Sequence, residues 1–548
     1  MENADMQDEI RGILKPYMAA QSDTGTARER EAELFLKTWF EDQAYFQEHP
    51  DHWGLEPVKD DALDRHVVWG MVRGTGPDTV VLVHHYDVVD AGDFGAARHA
   101  AHDLDRVHGA LETMIHQFDE DARLDYGNPD WIFGRGGADM KAGGAIQMAL
   151  LKAFSREASF KGNLILCCLP DEENMSAGMR SAVPLLARLQ EKYQLKFRLM
   201  IDSEPHERGD ENTGTIYEGS VGKVMPIVLA RGRLAHTGRI FEGLNPLHLV
   251  SEFMVRTELN MDFSEAHGDE ALPPPSWLHL RDGKTAYDVS IPATARAYMS
   301  VLTLGRSPGE ILSALTSIAE DAFGAVVHRI QDAHDEFTGG KGGCLPWQVK
   351  VKTFDTLYGE IRRALGEAFE AEFQARVDGE KARIDAGEIN YMDASFELLE
   401  FCLDRCPDKD PMMILALSPP FYTPVCNDRI PDLDPRVKGL TAAVDAFAQR
   451  EWNEGYAPRK YFTGICDLSY AYPLENPDDV GEIRGNMPLW GRAYDIPFSA
   501  IEAVKMPSVN IGPWGKDLHK LTERVHRRDL YERTPRIMEW VIRSILGG

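Results

Sequence analysis

Apolar runs typical of buried strands alternate with amphipathic helical segments through the first 220 residues. The predicted strands are short and rich in branched side chains, as expected for a sheet covered by helices on both faces. The predicted helices carry apolar residues at intervals of three and four. This alternation predicts a mostly parallel sheet flanked by helices, the α/β class. The clearest strands are TVVLVHHYD, NLILCCLPD and FRLMID, and the clearest helices are AELFLKTWFEDQAYF, AGGAIQMALLKAF and SAVPLLARLQEKY.

The pattern changes near residue 222, where a β-α-β-α order indicates an inserted ferredoxin-like α+β domain. Its closing strand is expected within 411–421, after a helical insertion at about 340–410. The α/β pattern then resumes. We therefore predict one domain from 1–221 and 426–548, interrupted by a second domain from 222–425.

The composition, with 43% hydrophobic and 27% charged residues, is typical of globular proteins. The net charge of −29 is spread along the chain, which argues against nucleic acid or an anionic membrane as a partner. The N-terminus lacks the features of a secretory signal, and no run of about 18 apolar residues predicts a membrane span. The seven cysteines show neither metal-knuckle nor disulfide spacing. These features predict a cytoplasmic protein.

Histidine and carboxylate residues follow three of the predicted strands. They are His85 and Asp87, then Asp139 in GRGGADMKAG, then Glu172 and Glu173 in PDEE. The carboxyl ends of parallel strands meet at one edge of a sheet, where open α/β folds bind ligands. Imidazoles and carboxylates are ligands for divalent metals, zinc above all. The order of these motifs predicts a metal site at this edge.

Each of these residues also has a simpler interpretation. His85 and Asp87 share a strand face, so Asp87 could orient the imidazole, or it could be an ordinary surface residue. Asp139 could bridge two metals with its two oxygens, or cap the helix that follows it. Glu172 and Glu173 point in different directions, so one could bind metal while the other acts as a base. They could equally be acidic residues of a loop.

Three further residues extend the candidate site. Asp202, at the end of FRLMID, is a fifth candidate ligand, and Glu204 competes with it for this role. His519 follows an apolar strand and a Gly-Pro turn, where it would complete a two-metal site. His236, in GRLAHTG, could donate a hydrogen bond to a developing oxyanion, or lie in a simple turn at a strand end.

The order of motifs resembles the ArgE/DapE/aminoacylase family of co-catalytic zinc hydrolases, which have a zinc-exopeptidase-like fold. The matching motifs are HxD, GRGxxDMKxG, DEE, a strand-end Asp, GxxxH and a late Gly-Pro…His, with an opening similar to S-x-T-G-x-x-x-E in SDTGTAREREAE. Within this family the chain is similar to the RocB-type arginine-utilisation branch. That branch shares GSVGKVMP, GLNP, TGICDLSY and NIGPWGKDLHKLTERV.

The resemblance implies a set of metal ligands. His85 and Asp202 would bind one ion, Glu173 and His519 would bind the other, and Asp139 would bridge them. Zinc is the expected metal, with cobalt and manganese as alternatives. Residues 1–221 and 426–548 would form the catalytic domain.

The resemblance also implies roles for residues that do not bind metal. Asp87 would orient His85, and Glu172 would be the general base and proton shuttle. Residues 222–425 would form a lid and dimerisation domain. From that domain, His236 would reach an active site across a dimer interface and Asn245 would help to bind substrate.

The leading hypothesis is a cytoplasmic amidohydrolase that cleaves a small peptide or an N-acyl amino acid with a two-metal-activated water and Glu172 as base. Aminoacylase, dipeptidase, carboxypeptidase and deacylase activities all fit, and a homodimer is expected. The alternative is a non-catalytic, metal-containing protein that binds amino acids or peptides. Magnesium or manganese serving phosphoryl chemistry is a weaker third hypothesis. The long connection at 91–130 and the segment ENPDDVGEIRGNMPLWGR depart from the family pattern and are expected to reshape the pocket.

Overall fold

A computed structural model describes residues 3–547 of the chain, which form two compact units. Unit 1 contains the described residues up to Val221, together with Val425–Pro473 and those from Pro497 onward. Unit 2 contains Gly222–Pro424 and Leu474–Ile496. Residues 474–496, which were predicted to belong to the resumed first domain, therefore pack within unit 2. They pack there because the segment carries apolar side chains, of which Ile483 and Leu489 are fully buried.

The strands are numbered in chain order across both units. In the described part of the chain they are β1 Trp53–Pro57, β2 His66–Arg73, β3 Thr75–His85, β4 Trp131–Phe133, β5 Lys161–Leu169, β6 Lys196–Asp202, β7 Thr213–Tyr217, β8 Gly219–Ser220, β9 Gly222–Arg231, β10 Ala266–His267, β11 Glu270–Ala271, β12 Ser276–Asp282, β13 Thr294–Thr303, β14 Val351–Thr353, β15 Met412–Tyr422, β16 Val425–Cys426, β17 Gly455–Arg459, β18 Ser508–Asn510, β19 Gly515–Lys516 and β20 Arg524–His526.

The α-helices are numbered in the same way. They are α1 Asn3–Ala19, α2 Glu29–Glu41, α3 Ala44–Glu48, α4 Val107–Leu111, α5 Glu120–Tyr126, α6 Ala142–Phe154, α7 Ala177–Tyr193, α8 Pro246–Thr257, α9 Pro308–Thr338, α10 Phe354–Leu365, α11 Glu367–Asp385, α12 Tyr391–Arg405, α13 Pro435–Lys438, α14 Leu440–Trp452, α15 Asp479–Asn486, α16 Phe498–Val504 and α17 Thr534–Leu546.

Unit 1 is built on an eight-stranded sheet of order β1-β2-β5-β3-β6-β18-β7-β17. Its centre, β5-β3-β6-β18, is parallel throughout. Val80 and Leu82 of β3 pack in one cluster with α6 and α17, and the alternate residues Val81 and Val83 are also fully buried. Both faces of β3 are therefore covered, because successive side chains of a strand point to opposite faces. The predicted α/β fold is confirmed.

The parallel register aligns the strand ends on which the candidate site depends. His85 of β3 lies opposite Leu169 of β5, and Val83 lies opposite Asp202 of β6. The segments that follow β3, β5 and β6 consequently leave the sheet at the same edge. The connection at 91–130 forms a small apolar cluster with β4, centred on Phe94, Leu111 and Phe133.

Unit 2 contains a five-stranded sheet of order β12-β13-β9-β15-β14. Counting β9, β12, β13 and β15 as strands one to four, their order is 4-1-3-2 with α8 and α9 as the crossover helices, which is the predicted ferredoxin-like arrangement. The predicted insertion forms α10, α11 and α12, which pack on the sheet through an apolar cluster shared with Ile227 and Leu229 of β9.

Helix α9 is, by length and composition alone, apolar enough to cross a membrane. Such properties are weak evidence, because core helices share them. Within unit 2, this helix buries Ile311, Leu315, Phe323 and Val326, and it packs against α8, β14 and β15.

Gly143 in α6 marks a close approach between this helix and the end of β6. A Cβ atom at this position would lie 2.3 Å from the backbone oxygen of Ser203. We expect Gly143→Ala to lower the free energy of unfolding by about 1–3 kcal/mol, because the backbone must move to admit a methyl group. Denaturant unfolding measures this change.

A matched control is Gly12→Ala, since Gly12 lies exposed in α1 and a Cβ atom added there would meet no atom within 4 Å. We expect this change to raise stability by roughly 0.5–1 kcal/mol, through helix propensity. Equal stability of the two variants would contradict the proposed close contact.

Candidate metal centre

His85 lies at the centre of a cluster of carboxylates at the sheet edge. The side chain is fully buried, and its Nε2 atom lies 3.0 Å from Asp139 Oδ1, 3.5 Å from Glu204 Oε1 and 3.9 Å from Glu172 Oε2. The parallel strands β3, β5 and β6 deliver His85, Glu172 and Glu204 to this point. Ligand atoms of His85, Glu172 and Glu204 all lie within 4.8 Å of one another, close enough to hold a metal ion.

The other ring nitrogen of His85 is held by the backbone. Nδ1 lies 2.8 Å from the carbonyl oxygen of Asp87, and 3.6 Å from the carboxylate of the same residue. A carbonyl only accepts hydrogen bonds, so Nδ1 donates and Nε2 is the ring nitrogen left to bind a metal once it has lost its proton. Asp87 therefore orients His85 mainly through its main chain, whereas the sequence pattern predicted that the carboxylate would do so.

The carboxylate of Asp87 instead organises the turn after β5. It accepts the backbone N–H of Glu172 at 3.0 Å and that of Glu173 at 3.2 Å. Asp87 is fully buried. One aspartate thus links the end of β3 to the two glutamates that follow β5.

Asp139 stands between two imidazoles. Oδ1 lies 3.0 Å from His85 Nε2, and Oδ2 lies 3.0 Å from His519 Nε2. His519 Nε2 also lies 3.0 Å from Glu173 Oε1. Ligand atoms of His85, Asp139 and Glu173 form a second compact group within 4.8 Å. The two oxygens of one carboxylate are therefore aimed at two different donor groups.

The structure brings Glu204, and not Asp202, to His85. Asp202 Oδ1 accepts the backbone N–H of Ser203 at 2.8 Å, and the residue ends β6. Glu204 lies beyond the strand, where its carbonyl accepts a hydrogen bond from Asn510 Nδ2 at 2.9 Å. Strand β6 ends at Asp202, and the irregular segment that follows it carries Glu204 to the cluster. Asp202 remains buried beside it.

Several carboxylates share one buried volume in this cluster, and burial and their mutual repulsion shift their pKa values. Burial raises the pKa of Glu172 well above its usual value, and the negative charges of Glu204 and Glu173 add to this effect. Burial likewise raises the pKa of Glu204, and the nearby charge of Asp139 adds to it. Burial would also raise the pKa of Asp139, but hydrogen bonds from His519 and His85 lower it instead.

The imidazoles are shifted in the opposite sense. Burial alone would lower the pKa of His85, but the carboxylates of Asp139 and Glu204 raise it well above its usual value. Hydrogen bonds to Asp139 and Glu173 raise the pKa of His519 to about 10. Buried charges of one sign are costly unless they are compensated, and a divalent cation would compensate them. The mixture of carboxylate and imidazole donors therefore fits a metal such as zinc.

His519 occupies a constrained loop. Its backbone φ of +63° lies in the left-handed region, and Asp517 two residues earlier has a φ of +54°. The carboxylate of Asp517 accepts hydrogen bonds from Thr522 Oγ1 at 2.7 Å and from Arg524 Nη1 at 2.5 Å. Such backbone conformations persist at functional sites when surrounding contacts hold them.

The two remaining candidates lie in unit 2. His236 is exposed, and its Nδ1 accepts the backbone N–H of Gly238 at 3.0 Å. Asn245 caps α8, where its Oδ1 accepts the N–H of Leu247 at 3.0 Å. Each side chain thus has a local structural role within its own unit.

Sequence reasoning missed three buried charged residues in unit 1. Asp467, in TGICDLSY, has two buried carboxylate oxygens without a hydrogen-bond partner among residues 3–547, and burial raises its pKa well above the usual value. Glu523 and Arg135 form a buried ion pair beside Asp139. Each of the three lies in one of the motifs that carry the family resemblance. Their position in those motifs is the signal by which the sequence could have indicated them.

An α/β sheet with imidazoles and carboxylates gathered at its carboxyl edge can hold divalent metal ions. The chain belongs to peptidase family M20/M25/M40, whose sequence profile matches residues 82–535. It is therefore an enzyme of the metallopeptidase class. This assignment confirms the resemblance found in the sequence.

Two relatives from Bacillus subtilis (strain 168) match over almost the full length. The uncharacterized protein YqjN is 32% identical, over 99% of this chain and 97% of its own. Protein RocB is 27% identical, over 97% of this chain and 94% of its own. The crystal structure of Sso-CP2, an M20 family metallo-carboxypeptidase from Sulfolobus solfataricus, is 12% identical with a TM-score of 0.54, covering 98% and 99% of the two chains. That likeness establishes the shared fold.

The raised pKa of His519 predicts how metal binding depends on pH. An imidazole must lose its proton before it can bind a metal, and with a pKa of about 10 His519 is protonated in the metal-free protein near neutral pH. We expect metal binding to release protons and the affinity to keep rising with pH above about 7.5. Calorimetric titration with zinc, in buffers of different ionisation enthalpy, measures both effects. An affinity that levels off near the usual histidine pKa of about 6.5 would contradict the raised value.

Proposed function

We propose that this protein hydrolyses an amide bond in a small peptide or an N-acyl amino acid, using two divalent metal ions, with zinc as the expected metal. One observation carries the proposal: the two oxygens of Asp139 face the two imidazoles of His85 and His519, each at 3.0 Å. A carboxylate in this position can bridge two ions. In structural zinc sites protein side chains fill every coordination position, whereas catalytic zinc sites leave one position for water or substrate. The proposed site is of the catalytic kind.

The proposed ligands divide into two groups around Asp139. His85 and Glu204 would hold one ion, and Glu173 and His519 would hold the other. Glu204 replaces Asp202 in this proposal, because its carboxylate lies 3.5 Å from His85 Nε2. Asp202 would act indirectly, as a buried charge behind the site.

Glu172 is proposed as the general base. Burial and the neighbouring carboxylates raise its pKa, which makes its carboxylate a stronger base, and its backbone N–H is held by the carboxylate of Asp87. Bound metal ions supply Lewis acidity, polarising a carbonyl and lowering the pKa of water. Glu172 would accept the proton of the attacking water and then donate it to the leaving nitrogen. This cycle returns the carboxylate to its starting state.

The substrate class is proposed from relatives and from the family. The solved relative Sso-CP2 is described as a carboxypeptidase, and peptidases of this family act on peptides, so a short peptide or its N-acyl analogue is the simplest proposal. A contribution to arginine utilisation rests on similarity to RocB-type proteins. His236 and Asn245 are proposed to bind substrate from unit 2, with His236 donating to the oxyanion. We further propose that the protein acts in the cytoplasm.

The proposal is tested by metal content and hydrolysis together. We expect two zinc ions per chain by elemental analysis, and cleavage of at least one member of a panel of dipeptides and N-acyl amino acids. Removal of metal with a chelator should abolish cleavage, and zinc, cobalt or manganese should restore it. Stoichiometric metal without any cleavage would favour the metal-containing binding protein instead. A metal-free protein that cleaves the panel would overturn the site.

Replacing Glu172 separates the base from the metal ligands. We expect Glu172→Gln to lower kcat by at least about 100-fold, the usual contribution of a general base, while both ions remain bound. Glu191→Gln is a suitable control, since Glu191 is an exposed residue of α7. Steady-state kinetics and metal analysis of the purified variants provide the measurement. A Glu172→Gln enzyme that keeps most of its kcat would remove this residue from the mechanism.

We also propose a homodimer that forms through unit 2. Strand β12 is an edge of the five-stranded sheet, with β13 as its neighbour. Leu278 and Leu280 of β12 are 56% and 39% exposed, and Val255 and Leu259, near the end of α8, are 78% and 65% exposed. An exposed edge strand with apolar side chains pairs readily with another copy, and two-fold symmetry makes this interface self-complementary.

Charged substitutions at this edge test the dimer. We expect Leu278→Glu combined with Leu280→Glu to convert the protein from a dimer to a monomer, because the interface would bury the introduced charges. Leu124→Glu in unit 1 serves as the control, since Leu124 is 69% exposed. Analytical ultracentrifugation gives the mass of each species. A wild-type protein that sediments as a monomer at micromolar concentration would refute the dimer.

A further inference from the structure

Glu523 and Arg135 form a buried ion pair directly behind the candidate metal centre. They lie 388 positions apart in the sequence, and Arg135 Nη1 donates to Glu523 Oε2 at 2.8 Å. Glu523 is fully buried and Arg135 is 1% exposed. Antiparallel pairing of β20 with β4, which aligns Arg524 with Phe133, brings the two segments together.

The pair contacts the main chain of the proposed bridging ligand. Glu523 Oε1 accepts the backbone N–H of Ala138 at 3.1 Å and that of Asp139 at 3.3 Å. Since Oε2 is bound to Arg135, the carboxylate cannot rotate without losing one of these bonds. Glu523 therefore fixes the backbone from which the Asp139 side chain extends.

The same pair contacts the main chain of the second imidazole ligand. Arg135 Nη2 donates to the carbonyl oxygen of His519 at 3.3 Å, and to Asp93 Oδ1 at 2.7 Å. His519 has a left-handed backbone conformation, which is unfavourable for a residue other than glycine. A fixed donor at its carbonyl opposes relaxation of this loop.

We propose that Glu523 and Arg135 are positioning residues, which hold Asp139 and His519 at the separation that the ion between them requires. The inference rests on the proposed function, because it assigns that ion to Asp139, Glu173 and His519. Asp139 and His519 come from segments 380 positions apart, and their side chains meet at 3.0 Å. The hydrogen bonds of the ion pair reach the main chain of both residues.

The chemistry of the pair explains why an ion pair occupies this position. A carboxylate only accepts hydrogen bonds, and here it accepts three from N–H groups. A guanidinium presents a rigid fork, so it can bind Glu523 with one nitrogen and His519 with the other. A buried ion pair contributes little net stability compared with apolar residues of the same volume. Its geometric specificity is therefore the stronger reason for its presence.

Two conservative substitutions disrupt these hydrogen bonds while keeping a side chain of similar length at each position. In Glu523→Gln, the amide NH2 must face either Arg135 or the N–H groups of Ala138 and Asp139, so donors oppose donors. In Arg135→Lys, a single nitrogen replaces the fork and cannot reach both Glu523 and His519. Either variant should loosen Asp139 and His519 while all the proposed ligands remain present.

The test is the affinity of the full-length protein for each of two zinc ions, measured by competition with a chromophoric chelator. We expect both variants to bind the second ion, beside His519, about 10–100-fold more weakly, the usual effect of losing a group that orients a ligand, and to bind the first ion, which shares only Asp139, with a smaller loss of affinity. For a dipeptide that the wild type cleaves, the kcat of each variant should fall at limiting zinc and recover at saturating zinc. The KM of each variant should stay within about two-fold of the wild-type value.

A matched control distinguishes positioning from general loosening of the fold. Glu454→Gln changes another buried glutamate, which pairs with Arg533 and Arg208 and not with Arg135. We expect it to lower the melting temperature and leave both zinc affinities unchanged. Equal loss of the second ion in Glu454→Gln would overturn the proposal, as would unchanged affinities in Arg135→Lys.

Failure of the proposed function gives a different result. A wild-type protein that binds no zinc, or one ion only, would overturn the two-metal site and the positioning pair together. A wild type that binds two ions, with variants that do the same at equal affinity, would overturn the positioning pair alone. If Glu523→Gln does not fold, Arg135→Lys decides the question by the same measurement.

Discussion

The centre of this protein is a crowded set of carboxylates that must share one buried volume. Glu172, Glu173, Glu204 and Asp139 meet two imidazoles at the edge of the unit 1 sheet, and burial raises the pKa of three of these four acids. Of the four, Asp139, which contacts both imidazoles, has a lowered pKa. Packing acids in this way is unfavourable unless cations neutralise them. The parallel register of the central strands and the strained loop at His519 both serve to maintain this arrangement.

Much of the fold could be predicted because it depends on local patterns. Buried parallel strands appear as continuous apolar runs, and the residues at their ends, such as His85 and Glu172, are read directly from the sequence. The ferredoxin-like order of unit 2 was predicted for the same reason. The packing of residues 474–496 within unit 2 could not be predicted in this way. It depends on which apolar surface Leu489 packs against in the folded chain.

The finer details of the site depend on the backbone beyond each strand. The end of β6 fixes where Asp202 lies, but the path of the irregular segment after it decides that Glu204 reaches His85. The alternation of side chains holds only inside the strand. Similarly, residue spacing placed Asp87 beside His85, but did not reveal that its carbonyl, and not its carboxylate, meets the ring. Glu523 and Arg135 meet through the pairing of β4 with β20, and strands of only three residues give no signal of a partner so far away in the sequence.

The two imidazoles of the candidate site differ sharply in their access to solvent. His85 is sealed within the sheet edge, whereas the side chain of His519 is 50% exposed. Ligand exchange at a metal requires an incoming group to approach, and solvent approaches most easily where a ligand is exposed. In the two-ion site proposed above, the ion beside His519 would consequently exchange faster than the ion beside His85. The proposed enzyme would then pass through a singly loaded state when metal is withdrawn from it.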